Sequence, residues 1–366
     1  MATRYNPQTV SHPGETLREK LEEMKMSPKE FAVRCDKPEK TISAVLTGKS
    51  SITADMAVQF EDVTKIPASF WLKRQYRYSE SRARVERQQA AEEAKDWARQ
   101  FPYVDMVKRG WVPATRKALE KAPALFTFFA VSSHRAWEDF YLNQELKAAF
   151  RVSLAHAKSP HAISAWLRSG DNAARKLVAA SYSEKALKAI LPKLKAIMAE
   201  QPEDFFAQVQ QLGLDAGLKI VFTPCLSRAP INGVARWIEK NQTPLIQLSS
   251  RYKRYDIFWF SLFHEIGHIL LHGKKDVFLE NVEYEGADIE KEREADAFAC
   301  MWTFTKQQEI EIKSAWPLSE RELRDYAAGY GTHPAMIVGR LRHHHFITHF
   351  EGQEVMPEVR WDMEDC

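Results

Sequence analysis

Apolar residues recur three and four positions apart along most of the chain, which is the spacing of helices with one buried face. The repeat is broken often between residues 12 and 78, so this stretch predicts a run of short helices. Between residues 82 and 201 the pattern is helical throughout, and one face of its last helix carries Leu187, Ile190, Leu191, Leu194 and Ile197. Such a stripe is typical of an inter-helix core, and a role in dimerisation or sensing is the alternative.

The pattern changes after residue 203, where short runs of β-branched and aromatic residues follow a helix at 205–216. We predict strands at 218–222, 233–238, 244–248 and 277–279, and two further helices between residues 319 and 346. The periodicity therefore divides the chain into an N-terminal helical domain (1–80), a helical middle region (81–202), an α+β domain (203–350) and a tail (351–366).

The helix predicted at 256–272, with Asp256 as its candidate cap, is apolar on nearly all sides, which is typical of a buried central helix. It contains His264, Glu265 and His268 in the pattern His-Glu-x-x-His. Because residues four apart lie one above the other on a helix, both imidazoles can bind one zinc ion. Glu265 lies beside the first histidine, where a carboxylate can take a proton from a metal-bound water. A chance match is the alternative, but a surface helix would carry polar flanks that are missing here.

A catalytic zinc site needs a third protein ligand, and the acidic helix predicted at 288–299 supplies candidates. Glu292 follows His268 by 24 residues (292 − 268), and Asp296 lies one turn further along. In this spacing the chain resembles zinc peptidases of the gluzincin type. There the glutamate binds the metal and the aspartate bonds the other nitrogen of a ligand histidine. An ordinary acidic helix N-terminus, which complements the helix dipole, is the alternative.

Two neighbouring side chains compete with these candidates. Glu294 lies 200° from Glu292 around a helix, so we predict that only one of the two, Glu292, faces the metal. Small residues such as Ala295 share the face of Glu292 and would let the two helices approach closely, whereas we expect Glu294 to have no bonding partner. His272 lies one helical turn, or ~6 Å, beyond His268, so we interpret it as a buried packing or supporting histidine and not as a ligand.

The N-terminal helices contain a helix-turn-helix pattern. Ser27, Pro28 and Glu30 form a helix start, with serine as the N-cap, proline at the first helical position and glutamate at the capping-box position. After a break at 35–38, a further short helix is predicted at 39–47. Two short helices joined by a tight turn describe a helix-turn-helix.

Residues 12 to about 78 resemble the DNA-binding domain of HigA-type (XRE-like) antitoxins. The matching stretches are His12–Glu15, Thr41–Lys49 and Phe70–Leu72. The turn departs from that pattern at Asp36, where glycine is usual, and at Lys37, where an apolar residue is usual.

This resemblance implies that base contacts come from the start of the second helix of the motif, which here carries Glu39, Lys40 and Ser43, with Lys49 near phosphate. The charge of the region is compatible with this, because residues 1–84 contain 15 Lys and Arg against 11 Asp and Glu. A helical module that makes only protein contacts is the alternative.

Residues 203 to about 345 resemble the ImmA/IrrE metallopeptidase family. The matching stretches are Ile231–Trp237, Pro244–Ser249, Asp256–Phe260, the HEIGHILLH run at His264–His272 and the EREADAFA run at Glu292–Ala299. The resemblance implies a cytosolic zinc peptidase that cuts, or relieves, a partner transcriptional repressor. Some members of the family are fused to a DNA-binding domain in stress or toxin–antitoxin settings, as this chain is expected to be.

Composition adds few constraints. With 45% hydrophobic and 28% charged residues the chain is ordinary for a soluble protein, and no apolar run approaches the ~18 residues of a membrane span. The N-terminus lacks a signal-peptide pattern and the four cysteines are scattered, so we expect a cytoplasmic location. The tail at 351–366 has one arginine against six acids and is expected to be solvated. The run His343–His345 is expected to be solvated or to face phosphate, since three neighbours on a helix cannot all face one ion.

The sequence therefore predicts a multidomain protein: an all-α helix-turn-helix domain, a helical middle region and a zincin-like α+β metallopeptidase domain with a small sheet. We expect a zinc-dependent endopeptidase that regulates transcription by cutting a partner repressor or toxin–antitoxin partner. Its other partner is duplex DNA, bound through residues 1–80, and it is expected to make no membrane contact and to form a possible homodimer. A DNA-binding antitoxin or regulator without enzymatic activity, whose zinc site is structural or sensory, is the alternative.

Overall fold

The computed structural model describes residues 10–143, 159–229, 231–249, 251, 253–274, 278–279 and 287–357. The chain divides into two compact units, residues 1–93 and residues 94–366. Residues 144–158 of the predicted middle region, Val277 of the last predicted strand and residues 358–366 of the predicted tail lie outside the described ranges. Within those ranges, no helix is long and apolar enough to cross a membrane.

Between residues 10 and 93 the structure describes five helices: α1 (Pro13–Glu23), α2 (Pro28–Arg34), α3 (Glu39–Leu46), α4 (Ala54–Thr64) and α5 (Ala68–Glu93). Ser27 caps α2 as predicted, since its side chain accepts the backbone N–H of Glu30. The shared core consists of large apolar side chains that include Leu17, Phe31, Ile42, Val45, Phe60 and Trp71. Helix α5 is 26 residues long and passes through residue 80, the predicted end of this domain.

The turn between α2 and α3 keeps its shape although two of its residues depart from the usual pattern. Asp36 has a left-handed backbone (φ 50°), a conformation that aspartate tolerates better than most residues. The backbone N–H of Lys37 donates to the carbonyl of Ala32 at 3.0 Å, and its ammonium pairs with Asp55 on α4 at 2.5 Å. The predicted helix-turn-helix is therefore formed by α2 and α3, with a surface ion pair at a position where an apolar residue is usual.

The second unit begins with helices. They are α6 (Lys95–Arg99), α7 (Tyr103–Lys108), α8 (Ala118–Phe129), α9 (His134–Glu138), α10 (Pro160–Ala174), α11 (Glu184–Glu200) and α12 (Phe205–Asp215), with one π-helical turn at Asp139–Asn143. The aliphatic face of α11 is buried, as its periodicity predicts.

A small mixed sheet follows, built from β1 (Lys219–Thr223), β2 (Gly233–Ile238), β3 (Thr243–Ser249) and β4 (Phe278–Leu279). Its strand order is β1-β3-β2-β4, with β1 parallel to β3, and with β2 antiparallel to both β3 and β4. Helix α10 contacts the sheet through polar side chains: Gln247 donates a buried hydrogen bond to the carbonyl of Trp166 at 2.7 Å, and Arg236 pairs with the partly exposed Asp171 at 2.8 Å. The predicted sheet is confirmed.

Helix α13 (Tyr255–Leu271) is the predicted central helix, and it is buried on nearly all sides against the sheet and against α14 (Ala287–Thr303). The two helices meet closely at Gly267, where an added Cβ would lie 3.3 Å from the Cα of Ala295. The prediction that Asp256 caps α13 is wrong. Arg254 occupies the N-cap position, and Asp256, inside the first turn, instead pairs with that arginine at 2.6 Å.

The chain continues with three more helices, α15 (Lys306–Ala315), α16 (Glu320–Tyr330) and α17 (Pro334–His343). Ser319 and Glu322 form a capping box at the start of α16. The two helices predicted after residue 319 are therefore confirmed, and both pack into the core around α13.

Candidate metal centre

Three potential metal ligands converge where α13 faces α14. His264 and His268 lie one turn apart on α13, and their Nε2 atoms are 2.9 Å from each other. The carboxylate of Glu292 on α14 lies 3.2 Å from Nε2 of His264 and 3.5 Å from Nε2 of His268. Within the described ranges, this is the group of three whose ligand atoms, all within 4.8 Å, could share one ion.

The donor set and its spacing fit zinc. A tetrahedral zinc ion with bonds of ~2.0–2.1 Å has ligand atoms about 3.3 Å apart, close to the three distances found here. Two imidazoles and one carboxylate are also the protein ligands of a catalytic site that keeps a position open for water. The residues therefore fit a zinc ion as a group, in both chemistry and size.

Burial and neighbouring groups shift the pKa values of His268 and Glu292 in the directions that favour metal binding. His268 is only 3% exposed, and burial lowers its pKa to about 4, so the imidazole is neutral near pH 7 and has a lone pair to donate. Burial alone would raise the pKa of Glu292, but its contacts with His264 and His268 outweigh burial and lower that pKa to about 2. A neutral imidazole and an ionised carboxylate are the forms that bind a metal.

The Nδ1 atom of each ligand histidine contacts a further polar group. Nδ1 of His264 lies 2.9 Å from Oδ1 of Asp296, the contact that the resemblance implied. Nδ1 of His268 lies 2.9 Å from Nδ1 of His272, and Nε2 of His272 lies 3.0 Å from Oε2 of Glu294.

The expectation that Glu294 has no bonding partner is therefore wrong. Glu294 does lie on a different face of α14 from Glu292, as its 200° offset requires. However, His272 follows the last turn of α13 and lies beyond the ligand pair, where the side chain of Glu294 can reach it.

Glu265 is fully buried beside the ligand pair, and the strand β2 shapes its surroundings. An added Cβ at Gly233, the first residue of β2, would lie 2.7 Å from Oε1 of Glu265, closer than carbon and oxygen tolerate. Because Gly233 has no side chain, the carboxylate of Glu265 can occupy this space. No sequence pattern indicates this role, because the contact joins a strand and a helix that are distant in the chain.

The candidate DNA contacts share one exposed surface. Glu39, Lys40 and Ser43 lie on the solvent side of α3, and Lys49 is exposed shortly after the helix ends. The opposite side of α3 is buried through Ile42, Val45 and Leu46. The amphipathic pattern of α3 therefore keeps Glu39, Lys40 and Ser43 available for a ligand, and Lys49 is exposed in the segment that follows.

The histidines at the end of α17 do not join the metal cluster. Nδ1 of His344 lies 2.6 Å from the carboxylate of Glu309, which also binds Lys313 at 2.5 Å and Arg340 at 3.2 Å. All three histidines are exposed, in agreement with the expectation of solvated side chains, and His344 also contacts Glu309, a buried glutamate on α15.

Two family models match this chain. Residues 17–71 match the helix-turn-helix model, and residues 216–329 match the peptidase M78 model, an IrrE N-terminal-like domain. A curated relative, the uncharacterised HTH-type transcriptional regulator YddM of Escherichia coli (strain K12), is 34% identical over 67 residues, which make up 18% of this chain and 71% of that protein. The chain belongs to the helix-turn-helix transcriptional regulators and carries an IrrE N-terminal-like domain.

This helix-turn-helix regulator is also similar to solved structures. An addiction module antidote protein of a HigA family from Coxiella burnetii is 32% identical, and the match covers 24% of this chain and 95% of that chain, with a TM-score of 0.22. The Pseudomonas aeruginosa antitoxin HigA, solved with the higBA promoter, is 32% identical, and the match covers 21% of this chain and 86% of that chain, with a TM-score of 0.21.

The two family matches confirm both resemblances seen in the sequence. Helices α2 and α3 lie inside the first match. The second match contains the sheet and all the residues of the metal cluster, and it indicates a peptidase domain of a family that is generally metal-dependent.

Proposed function

We propose that the protein is a cytoplasmic transcriptional regulator whose C-terminal domain is a zinc-dependent endopeptidase. The observation that carries the proposal is the convergence of His264, His268 and Glu292 beside the buried carboxylate of Glu265. A purely structural zinc site has no need of a general base next to its ligands.

In the proposed mechanism His264, His268 and Glu292 would hold zinc, which supplies a Lewis acid and lowers the pKa of a bound water to ~7. Glu265 receives the proton of the attacking water on a carboxylate oxygen and returns it to the leaving amine. Its complete burial keeps the carboxylate away from bulk solvent, where charge interactions would be screened. Asp296 keeps His264 oriented through the Nδ1 contact at 2.9 Å.

We infer that the N-terminal unit binds duplex DNA through α3. Glu39, Lys40 and Ser43 are proposed to contact base edges in the major groove, and Lys49 a phosphate. The exposure of all four side chains supports this, as does the similarity to an HTH-type transcriptional regulator. Regulators of this class bind palindromic sites as dimers, so a homodimer is part of the proposal.

The proposed substrate is a protein, either a transcriptional repressor or a toxin–antitoxin partner. The test compares the proteomes of cells that produce the wild type, Glu265→Gln or Glu290→Gln, the last being an exposed glutamate on α14 that serves as a control. We expect the substrate to be cut by the wild type and by Glu290→Gln, and to accumulate at full length with Glu265→Gln.

Two outcomes would contradict this assignment. If Glu265→Gln still processes the partner that the wild type cuts, Glu265 is not the general base. If no protein differs between the strains while transcription is regulated normally, the chain is a non-enzymatic regulator with a structural or sensory metal site.

A further inference from the structure

The contact between His272 and Glu294 fixes which nitrogen of His272 carries hydrogen. A carboxylate offers only acceptor oxygens, so Nε2 of His272, 3.0 Å from Oε2 of Glu294, is the nitrogen that donates. A neutral imidazole has one N–H group, which leaves Nδ1 of His272 as an acceptor.

The contact between His272 and His268 determines which nitrogen of His268 carries hydrogen. Nδ1 of His268 lies 2.9 Å from Nδ1 of His272, and one of the two nitrogens must donate. Because His272 accepts there, Nδ1 of His268 carries the hydrogen, and Nε2 of His268 presents its lone pair towards His264 and Glu292.

His264 also carries its hydrogen on Nδ1, because it contacts a carboxylate directly. Nδ1 of His264 donates to Asp296 at 2.9 Å, so its Nε2 also presents a lone pair. Two lone pairs whose nitrogens are 2.9 Å apart repel each other unless a cation lies between them.

We propose that His272 and Glu294 are positioning residues that set the tautomer of His268 for metal binding. The cluster then has two supporting arms: Asp296 acts on His264 directly, and Glu294 acts on His268 through His272. The inference rests on the proposed zinc site and adds to it a second carboxylate, whose side chain is 62% exposed and lies outside the ligand group. Each arm also increases the basicity of the nitrogen that faces the metal.

The first test reads the hydrogen positions directly in the zinc-loaded, full-length protein. Long-range proton–nitrogen NMR spectra of this form with ¹⁵N-labelled histidine report which ring nitrogen of each histidine is protonated. We expect hydrogen on Nδ1 of His264 and His268 and on Nε2 of His272, whose signals are assigned by comparison with His272→Gln. Hydrogen on Nε2 of His268 in the wild type would overturn the proposal.

The second test measures zinc affinity by competition with a chromophoric chelator. Glu294→Ala is expected to bind zinc ~10–100-fold more weakly than the wild type, as is His272→Ala. Glu294→Gln, which keeps an acceptor oxygen, should recover part of the loss. Glu290→Ala removes an exposed charge from the same helix and should bind zinc normally. Normal affinity in Glu294→Ala would contradict the proposed arm.

A double variant separates the relay from a simple field effect of the charge. If Glu294 acts through His272, Glu294→Ala should cause no further loss of affinity in a His272→Ala background. Additive losses would overturn the relay, because they would mean that the carboxylate acts on the metal through space. A wild type that binds no zinc would refute the proposed metal site itself, whereas zinc binding of equal strength in the wild type and in Glu294→Ala would refute only the proposed arm.

Discussion

Helices α3 and α13 place polar side chains in opposite ways. In α3 the candidate DNA contacts lie on the exposed side, and the buried side is apolar. In α13 the candidate catalytic residues are themselves buried: Glu265 is 0% exposed, and His264 and His268 are each 3% exposed. Helix α3 therefore exposes its candidate functional side chains to solvent, whereas α13 buries them in the core.

The two sites place different requirements on the rest of the fold. An exposed lysine or serine needs no internal partner, so a binding surface can change with little effect on stability. A buried imidazole or carboxylate costs free energy unless it is paired, so α13 depends on polar groups supplied by α14. The largest effects of substitution are therefore expected around α13, and the smallest on the outer side of α3.

Removal of a ligand is the most severe way to test the buried site. Glu292→Ala should reduce zinc affinity well beyond the ~10–100-fold loss expected for supporting groups such as Glu294. The measurement is bound zinc after gel filtration, together with a chelator titration. If Glu292→Ala retains full zinc while Glu294→Ala is depleted, the ligand assignment is reversed.

Crowding of Glu265, the proposed general base, should have the next largest effect. Gly233→Ala would bring a Cβ to 2.7 Å from Oε1 of Glu265, so the carboxylate must move, and a displacement near 1 Å can reduce a rate ~100-fold. We expect peptidase activity on the partner protein to fall by about that factor while zinc remains bound. Gly329→Ala is the matched control, since an added Cβ there meets nothing within 4 Å. Equal activity in both variants would show that the position of Glu265 is unimportant.

The outer side of α3 should respond in specificity and not in folding. Loss of one base contact costs about 1–3 kcal/mol at its own base pair, so Lys40→Ala with Ser43→Ala should lower the preference for the operator over random DNA ~10-fold or more. Lys49→Ala should weaken binding to both kinds of DNA alike and reduce the salt dependence. Gel shifts at several salt concentrations decide this, and a wild type that does not distinguish the two DNAs would refute the DNA proposal.

The smallest effect concerns a buried carboxylate away from the metal cluster. Burial raises the pKa of Glu309, but hydrogen bonds from Lys313, His344 and Arg340 outweigh it and lower the pKa from 4.5 to about 2. Its ionised form therefore stabilises the fold above pH 4.5, and this contribution disappears as the pH falls from 4.5 towards about 2. Glu309→Gln should lower Tm by a few degrees at pH 7, and the difference from wild type should narrow below pH 4.5. A difference that stays constant with pH would contradict the low pKa.

Features that depend on local spacing could be predicted from the sequence. The N-cap at Ser27 and the bounds of α2 follow from hydrogen bonds within a few residues. The shared face of His264 and His268 follows from helical geometry alone. For Glu292 the small residues beside it were informative, because they indicate a helix that approaches another closely.

Features that depend on where two distant segments meet could not be predicted. The contact between His272 and Glu294 depends on how far α14 is displaced along the axis of α13, and the hydrophobic periodicity of the sequence does not determine that displacement. The role of Gly233 depends on the register of β2 against α13. The prediction of a cap at Asp256 failed because Arg254 competes for that carboxylate, and a sequence pattern does not decide between a cap and an ion pair.

The close contact at Gly267 reduces the number of independent motions available to the cluster. Since Glu292, Glu294 and Asp296 are all carried by α14, one sliding coordinate between two stiff helices changes every carboxylate–imidazole distance together. A backbone movement between the two helices cannot separate one of these carboxylates from its partner and leave the others in place without bending a helix. Heating should therefore release the metal and separate the two helices in a single cooperative event, with one midpoint for zinc release and for the loss of helical signal from this domain.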